Sequence, residues 1–102
     1  MKSITIGKFR GLQQIASPRG TFTALALDHR QNLRKANPAF EDNAALSDFK
    51  LDVVAALASQ ATAVLLDPEV SAAQAVASQV LPGSVGLVVA LESTGYSGEA
   101  TA

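Results

Sequence analysis

The chain has 102 residues and a formal net charge of -1 at pH 7, so it lacks the basic surface of a typical nucleic-acid-binding protein. With 48% hydrophobic and 17% charged residues it is too apolar for a disordered segment, and no apolar run approaches the roughly 18 residues of a membrane span. Zero cysteines and one histidine exclude disulfides, thiol nucleophiles and cysteine- or histidine-rich metal sites. We therefore expect a cytoplasmic protein that binds neither nucleic acid nor a membrane and uses no metal or cofactor.

The first predicted elements are a helix and a strand. Apolar residues recur at helical spacing over about residues 6–16, although two glycines weaken this helix. After a turn, a strand is predicted at about 21–28, and its nearly continuous apolar composition is typical of a parallel sheet covered on both faces. Asp28, His29 and Arg30 follow at the end of the strand. Functional sites in α/β proteins lie at the carboxyl ends of strands, so this triplet is the first candidate site. A polar turn without a function explains the triplet equally well.

The rest of the chain repeats this pattern of helices and strands that end in polar residues. A short helical segment and a loop at 37–45 lead to a clear amphipathic helix at about 47–60, for which Ser47 is the predicted N-cap. The later predicted elements, in order, are a strand at 61–66 that ends in Asp67, Pro68 and Glu69, a helix at about 71–80 capped by Ser71, and a strand at 84–91 that ends at Glu92.

Alternating strands and helices with short connections predict right-handed crossovers and a parallel α/β sheet. A sheet of only three strands, both faces of which need to be covered, indicates an incomplete domain. The alternative is a small α/β domain that is complete with three strands. No glycine-rich phosphate loop opens any of the helices, so a nucleotide-binding fold has little support.

Several segments, in this order and spacing, resemble the N-terminal third of class I aldolases of the tagatose 1,6-bisphosphate aldolase family, with which the sulfofructosephosphate aldolases belong. The segments are ALALDHR, QNLRK, LSDFKLDVVAAL, ATAVLLDPE and ALESTGY. The family fold is a TIM (β/α)8 barrel of about 250 residues or more, with its active site at the carboxyl ends of the strands. The resemblance implies that residues 1–102 are a single partial barrel domain.

The resemblance also implies a reaction, the retro-aldol cleavage of a ketose phosphate through a lysine Schiff base. Carried over, Asp28 and Glu92 are catalytic candidates, and the substrate-binding candidates are His29, Arg30, Asp67 and Glu69. For Asp67, Glu69 and Glu92 the alternative is that they cap helices or pair with cations at the barrel rim, and Tyr96 is expected to be a packed aromatic. His29 stands where tagatose-type members usually have Gln, so the resemblance does not identify which sugar is the substrate.

The Schiff-base lysine of this family is expected on a later strand, beyond Ala102. Lys2 is terminal, and Lys8, Lys35 and Lys50 fall on predicted helices, with the Lys50 ammonium expected in water on the helix flank. We therefore expect no aldolase activity from these 102 residues alone. Two alternatives to a catalytic role remain: a partial barrel that forms a homo-oligomer through exposed strand edges, and a small α/β domain that binds a phosphorylated ligand.

Overall fold

A computed structural model of the protein describes residues 3–91, which form four α-helices and a three-stranded sheet. In chain order the elements are α1 Ile6–Gln14, β1 Ala24–Leu27, α2 Gln31–Ala36, α3 Asn43–Leu57, β2 Ala63–Leu66, α4 Ala72–Ala77 and β3 Gly86–Val89, with 3-10 turns at Pro38–Glu41 and Ala58–Gln60. None of the helices in residues 3–91 has the length and hydropathy of a membrane-spanning segment.

The sheet has the strand order β1-β2-β3, and both neighbouring pairs are parallel. Both crossovers are helical: α2 and α3 lie between β1 and β2, and α4 lies between β2 and β3. The predicted parallel α/β fold is thus confirmed. Parallel strands in chain order, each connected through a helix, are also the arrangement of a (β/α)8 barrel, so the fold is consistent with part of one.

One face of the sheet packs against α3 and α4. Leu25, Val64 and Leu87 lie side by side in the register, and Leu27 pairs with Leu66 two residues further along. All five belong to or pack against one core, which the helices complete with Val54, Ala58, Ala72 and Ala75. The small side chains of Ala72 and Ala75 allow α4 to approach the sheet closely.

The opposite face of the sheet is lined by small residues at its N-terminal end. Ala24, Ala63 and Gly86 are neighbours in the register, and successive strand residues alternate between faces, so these three point away from the core. The end of α1 lies against them, since a Cβ atom on Gly86 would come within 2.7 Å of both the Gln14 carbonyl oxygen and Ile15 Cγ2. The end of α1 therefore covers this part of the second face.

The helix boundaries differ from the predicted ones mainly at the start of α3. Asp42, not Ser47, is its N-cap, because the Asp42 carboxylate accepts a hydrogen bond of 3.2 Å from the Ala44 backbone N–H. Ser47 is buried inside the helix. Of the nine residues of the predicted loop at 37–45, four form the 3-10 turn Pro38–Glu41 and the last three begin α3. Helices α1, α3 and α4 also end two to three residues early. For α4 the reason is the left-handed backbone of Gln79, with φ 60.

Candidate active site

The candidate site lies at the carboxyl ends of β1 and β2. The two strands are in parallel register up to the pair Leu27 and Leu66, so the segments that follow them leave the sheet side by side. The first segment carries Asp28, which is half-buried, and His29, which is exposed. It also carries Arg30, which is buried, and the second segment carries Asp67 and Glu69. The structure therefore brings the two polar segments to one edge, as the sequence pattern predicts.

Arg30 and Glu69 join these two segments. Arg30 Nη1 donates a hydrogen bond of 2.8 Å to Glu69 Oε1, and the pair connects positions 39 residues apart in the chain. The Arg30 side chain is only 5% exposed, whereas that of Glu69 is 63% exposed. The guanidinium is thus held beneath the surface of the site by a carboxylate that reaches in from the rim.

Asp67, directly after β2, is fully buried and bound within the protein. Its Oδ1 accepts hydrogen bonds from Lys50 Nζ at 2.5 Å and from the Ser71 hydroxyl at 2.6 Å. Its Oδ2 accepts one of 2.6 Å from the Val70 backbone N–H. Burial by itself raises the pKa of this carboxyl, but the hydrogen bonds from Lys50, Ser71 and Val70 outweigh it and hold the pKa below its ordinary value. Asp67 is therefore a carboxylate at neutral pH.

The contacts of Asp67 and Glu69 match the alternative interpretation, in which these residues cap helices or pair with cations at the barrel rim. Asp67 organises the turn before α4 and binds a lysine, and Glu69 pairs with an arginine at the strand ends. Direct contact with a substrate stays a prediction for both. Glu92 and Tyr96 lie outside the described residues, and the roles predicted for them are untested.

The prediction for Lys50 was wrong. Its side chain has no solvent exposure, and its ammonium lies against Asp67 instead of in water. The cause is its place on α3, four residues after Leu46 and four before Val54, both of which are fully buried. That four-residue spacing was a signal for burial. A lysine reaches this position only because a carboxylate from the end of β2 meets it there.

The strand ends present polar side chains that can hydrogen-bond a ligand. His29 is exposed and Asp28 is half-buried at the end of β1, so both can meet a ligand, whereas the Arg30 guanidinium is buried and donates to Glu69. Among residues 3–91, no group of three or more His, Asp or Glu side chains is placed to hold a metal ion.

Comparison with known proteins identifies relatives of this chain, although no protein-family model matches it. The chain is 38% identical over 99 residues to a tagatose 1,6-diphosphate aldolase of Listeria monocytogenes. It is 35% identical over 98 residues to tagatose 1,6-diphosphate aldolase 1 of Enterococcus faecalis. It is 30% identical over 102 residues to the tagatose 1,6-diphosphate aldolase of Lactococcus lactis.

These alignments cover 94 to 96% of this chain but only 28 to 30% of the relatives. The chain thus spans less than a third of the length of the curated relatives it matches. Alignments of this coverage span the strand ends that carry Asp28 to Arg30 and Asp67 to Glu69. The chain is therefore homologous to the N-terminal part of the tagatose 1,6-diphosphate aldolase family, as the sequence segments indicated.

Proposed function

We propose that this chain supplies part of the active site of a class I aldolase that cleaves a ketose phosphate to dihydroxyacetone phosphate and an aldehyde. The substrate is of the tagatose 1,6-bisphosphate or sulfofructose 1-phosphate type. The observation that carries the proposal is homology to tagatose 1,6-diphosphate aldolases across nearly the whole chain. The convergence of polar residues at the carboxyl ends of parallel strands supports it, because TIM-barrel enzymes place their sites there.

In this reaction the substrate carbonyl forms an iminium with a lysine, and the bond between C3 and C4 breaks. The electron pair moves into the iminium to give an enamine, while a base takes the proton of the C4 hydroxyl group. Protonation of the enamine at C3 and hydrolysis then release dihydroxyacetone phosphate. We assign Asp28 to a hydrogen bond with the substrate or with the reacting lysine, and His29 and Arg30 to the polar or phosphate end. Glu92 is the second candidate for the proton transfers.

We further propose that these 102 residues have no aldolase activity by themselves. A Schiff-base lysine must reach the substrate with an unprotonated amine. Lys8 and Lys35 are exposed on the helices α1 and α2, and Lys50 is enclosed against Asp67. We therefore expect the reacting lysine to come from the part of an aldolase that the alignments do not cover.

A chimera tests the proposal. The aligned segment of the Listeria monocytogenes aldolase is replaced by this chain, and release of dihydroxyacetone phosphate from tagatose 1,6-bisphosphate is measured. We expect the chimera to cleave the sugar and to be trapped covalently by borohydride. Asp28→Asn should lower kcat by about 100-fold or more, while Lys35→Met, a substitution at an exposed site on α2, should leave it unchanged. Cleavage by the 102-residue chain alone, or an unaffected Asp28→Asn chimera, would contradict the proposal.

The open sheet favours a second candidate, self-association. The outer edges of β1 and β3 have no strand partner within residues 3–91, and large apolar side chains such as Phe22 and Leu91 are exposed beside the strands, at 59% and 72%. Unpaired edges of this kind pair readily with other chains. Sedimentation velocity separates the two states: a discrete oligomer supports self-association, and a compact monomer argues for the small ligand-binding domain instead.

A further inference from the structure

The reaction proposed above gives no role to the buried pair of Lys50 and Asp67. A charge pair taken out of water has a desolvation cost that its mutual attraction often only balances, so apolar residues would serve stability equally well there. Two of the three other buried residues of α3, Leu46 and Val54, are apolar, and the third, Ser47, is uncharged. A charged pair in this setting offers something that an apolar contact does not, namely a directed hydrogen bond that fixes the position of its acceptor.

Asp67 is the residue whose position is fixed, and it shapes the turn that follows β2. Its carboxylate accepts hydrogen bonds from the Val70 N–H and the Ser71 hydroxyl, as described above. Its carbonyl oxygen accepts one of 2.9 Å from the Ala72 N–H. Three of the next five residues thus bond to Asp67, and Lys50 connects this turn to α3.

Glu69 lies in the middle of that turn and reaches across to Arg30 at the end of β1. We infer that Lys50 is a positioning residue: by holding Asp67 it sets the turn at 67–71, and through the turn it holds Glu69 where it orients the Arg30 guanidinium. The relevance of this linkage to sugar phosphate cleavage rests on the function proposed above. The linkage between Lys50 and Arg30 itself can be measured without any catalysis.

A purely structural role for Lys50 makes a different prediction. In that case its loss lowers the stability of the chain, but the folded molecules keep the pair of Arg30 and Glu69 intact. The two roles are therefore separated by a spectroscopic signal of Arg30, recorded well below the unfolding midpoint. The Nε–H resonance of Arg30 in a nitrogen-15 spectrum is such a signal, because its shift and its hydrogen exchange with water report the local environment of the guanidinium.

The test uses the 102-residue chain and three variants. Glu69→Gln provides the Arg30 resonance in the absence of the ion pair. Lys50→Met combined with Asp67→Asn removes the link to α3 without leaving a buried charge unpaired, so the variant is expected to fold. Lys35→Met removes an exposed lysine as the matched control.

We expect the double variant to move the Arg30 Nε–H resonance towards its position in Glu69→Gln and to accelerate its exchange by about tenfold or more. Lys35→Met should change neither quantity. A folded double variant with the Arg30 shift and exchange rate of the unsubstituted chain would overturn the inference. This outcome is independent of whether the chimera cleaves a sugar phosphate, so failure of the positioning role and failure of the aldolase proposal are distinguishable.

Discussion

Lys50 Nζ and Asp67 Oδ1 lie 2.5 Å apart, and neither side chain has any solvent exposure. Lys50 belongs to α3, whereas Asp67 follows β2, so the pair joins the outer helix layer to the edge of the sheet where the candidate site lies. A buried ion pair of this kind makes the two residues depend on each other, because removal of one leaves the other as an isolated charge.

Lys50→Met alone should therefore lower the free energy of unfolding much more than Lys50→Met combined with Asp67→Asn. The single substitution leaves the Asp67 carboxylate buried without its cation, and we expect the free energy of unfolding to fall by about 3 to 5 kcal/mol. Lys50→Met with Asp67→Asn should lose about 2 kcal/mol or less, because no unpaired charge remains. Urea unfolding followed by circular dichroism measures both. Equal losses in the two variants would show that the pair is not coupled.

The pH dependence of the free energy of unfolding should report the ionisation of the Asp67 carboxyl group. Its pKa in the folded chain lies below the ordinary value of 3.8, so the folded state binds the Asp67 proton more weakly than the unfolded state does. The resulting stabilisation is fully present above about pH 4 and is lost as the pH falls through the lower folded pKa. Unfolding midpoints measured between neutral pH and pH 2 should thus fall more steeply in the original chain than in Asp67→Asn. Parallel curves would contradict the lowered pKa.

The fold was predictable because its signals are local. Apolar strands that end in polar residues and alternate with helical spacing specify a parallel sheet, and the structure has that sheet in chain order. The strands are shorter than their apolar segments, since a ladder extends only where a neighbouring strand lies opposite. Thr23, just before β1, shows how the ladder ends: its carbonyl oxygen still accepts a backbone hydrogen bond from the Thr62 N–H, but its own N–H donates to the Thr62 hydroxyl and not to a backbone carbonyl.

The site was only partly predictable because its contacts are not local. The sequence identifies Arg30 and Glu69 as polar residues at strand ends, but their pairing depends on the register of β1 against β2. For Lys50, the helical pattern places the residue on the buried stripe of α3, while its partner lies 17 residues further along the chain. From its place between Phe49 and Leu51, Lys50 was therefore predicted to lie on a solvent-exposed flank of the helix. Its burial follows from the position of the end of β2, which the sequence alone does not give.

The start of α3 offers a test of the corrected N-cap. Asp42→Ala removes the carboxylate that accepts from the Ala44 N–H and should cost about 1 kcal/mol of stability. Ser47→Ala, at the position that the sequence pattern favoured, removes no cap and should cost less, since alanine is the better residue inside a helix. Thermal unfolding of the two variants measures the difference. A larger loss for Ser47→Ala would place the N-cap where the sequence pattern put it.

The contact of α1 with the sheet gives the last prediction. A methyl group on Gly86 would lie 2.7 Å from the backbone oxygen of Gln14, and a backbone atom cannot move aside as the end of a flexible side chain can. Gly86→Ala should therefore displace the end of α1 and cost about 1 to 3 kcal/mol. The matched control is Gly11→Ala on the same helix, where an added Cβ meets nothing within 4 Å. Because alanine is the better helix former, the control should gain about 0.5 to 1 kcal/mol. Urea unfolding of both variants decides the point, and a Gly86→Ala chain as stable as the original would mean that α1 does not rest on β3.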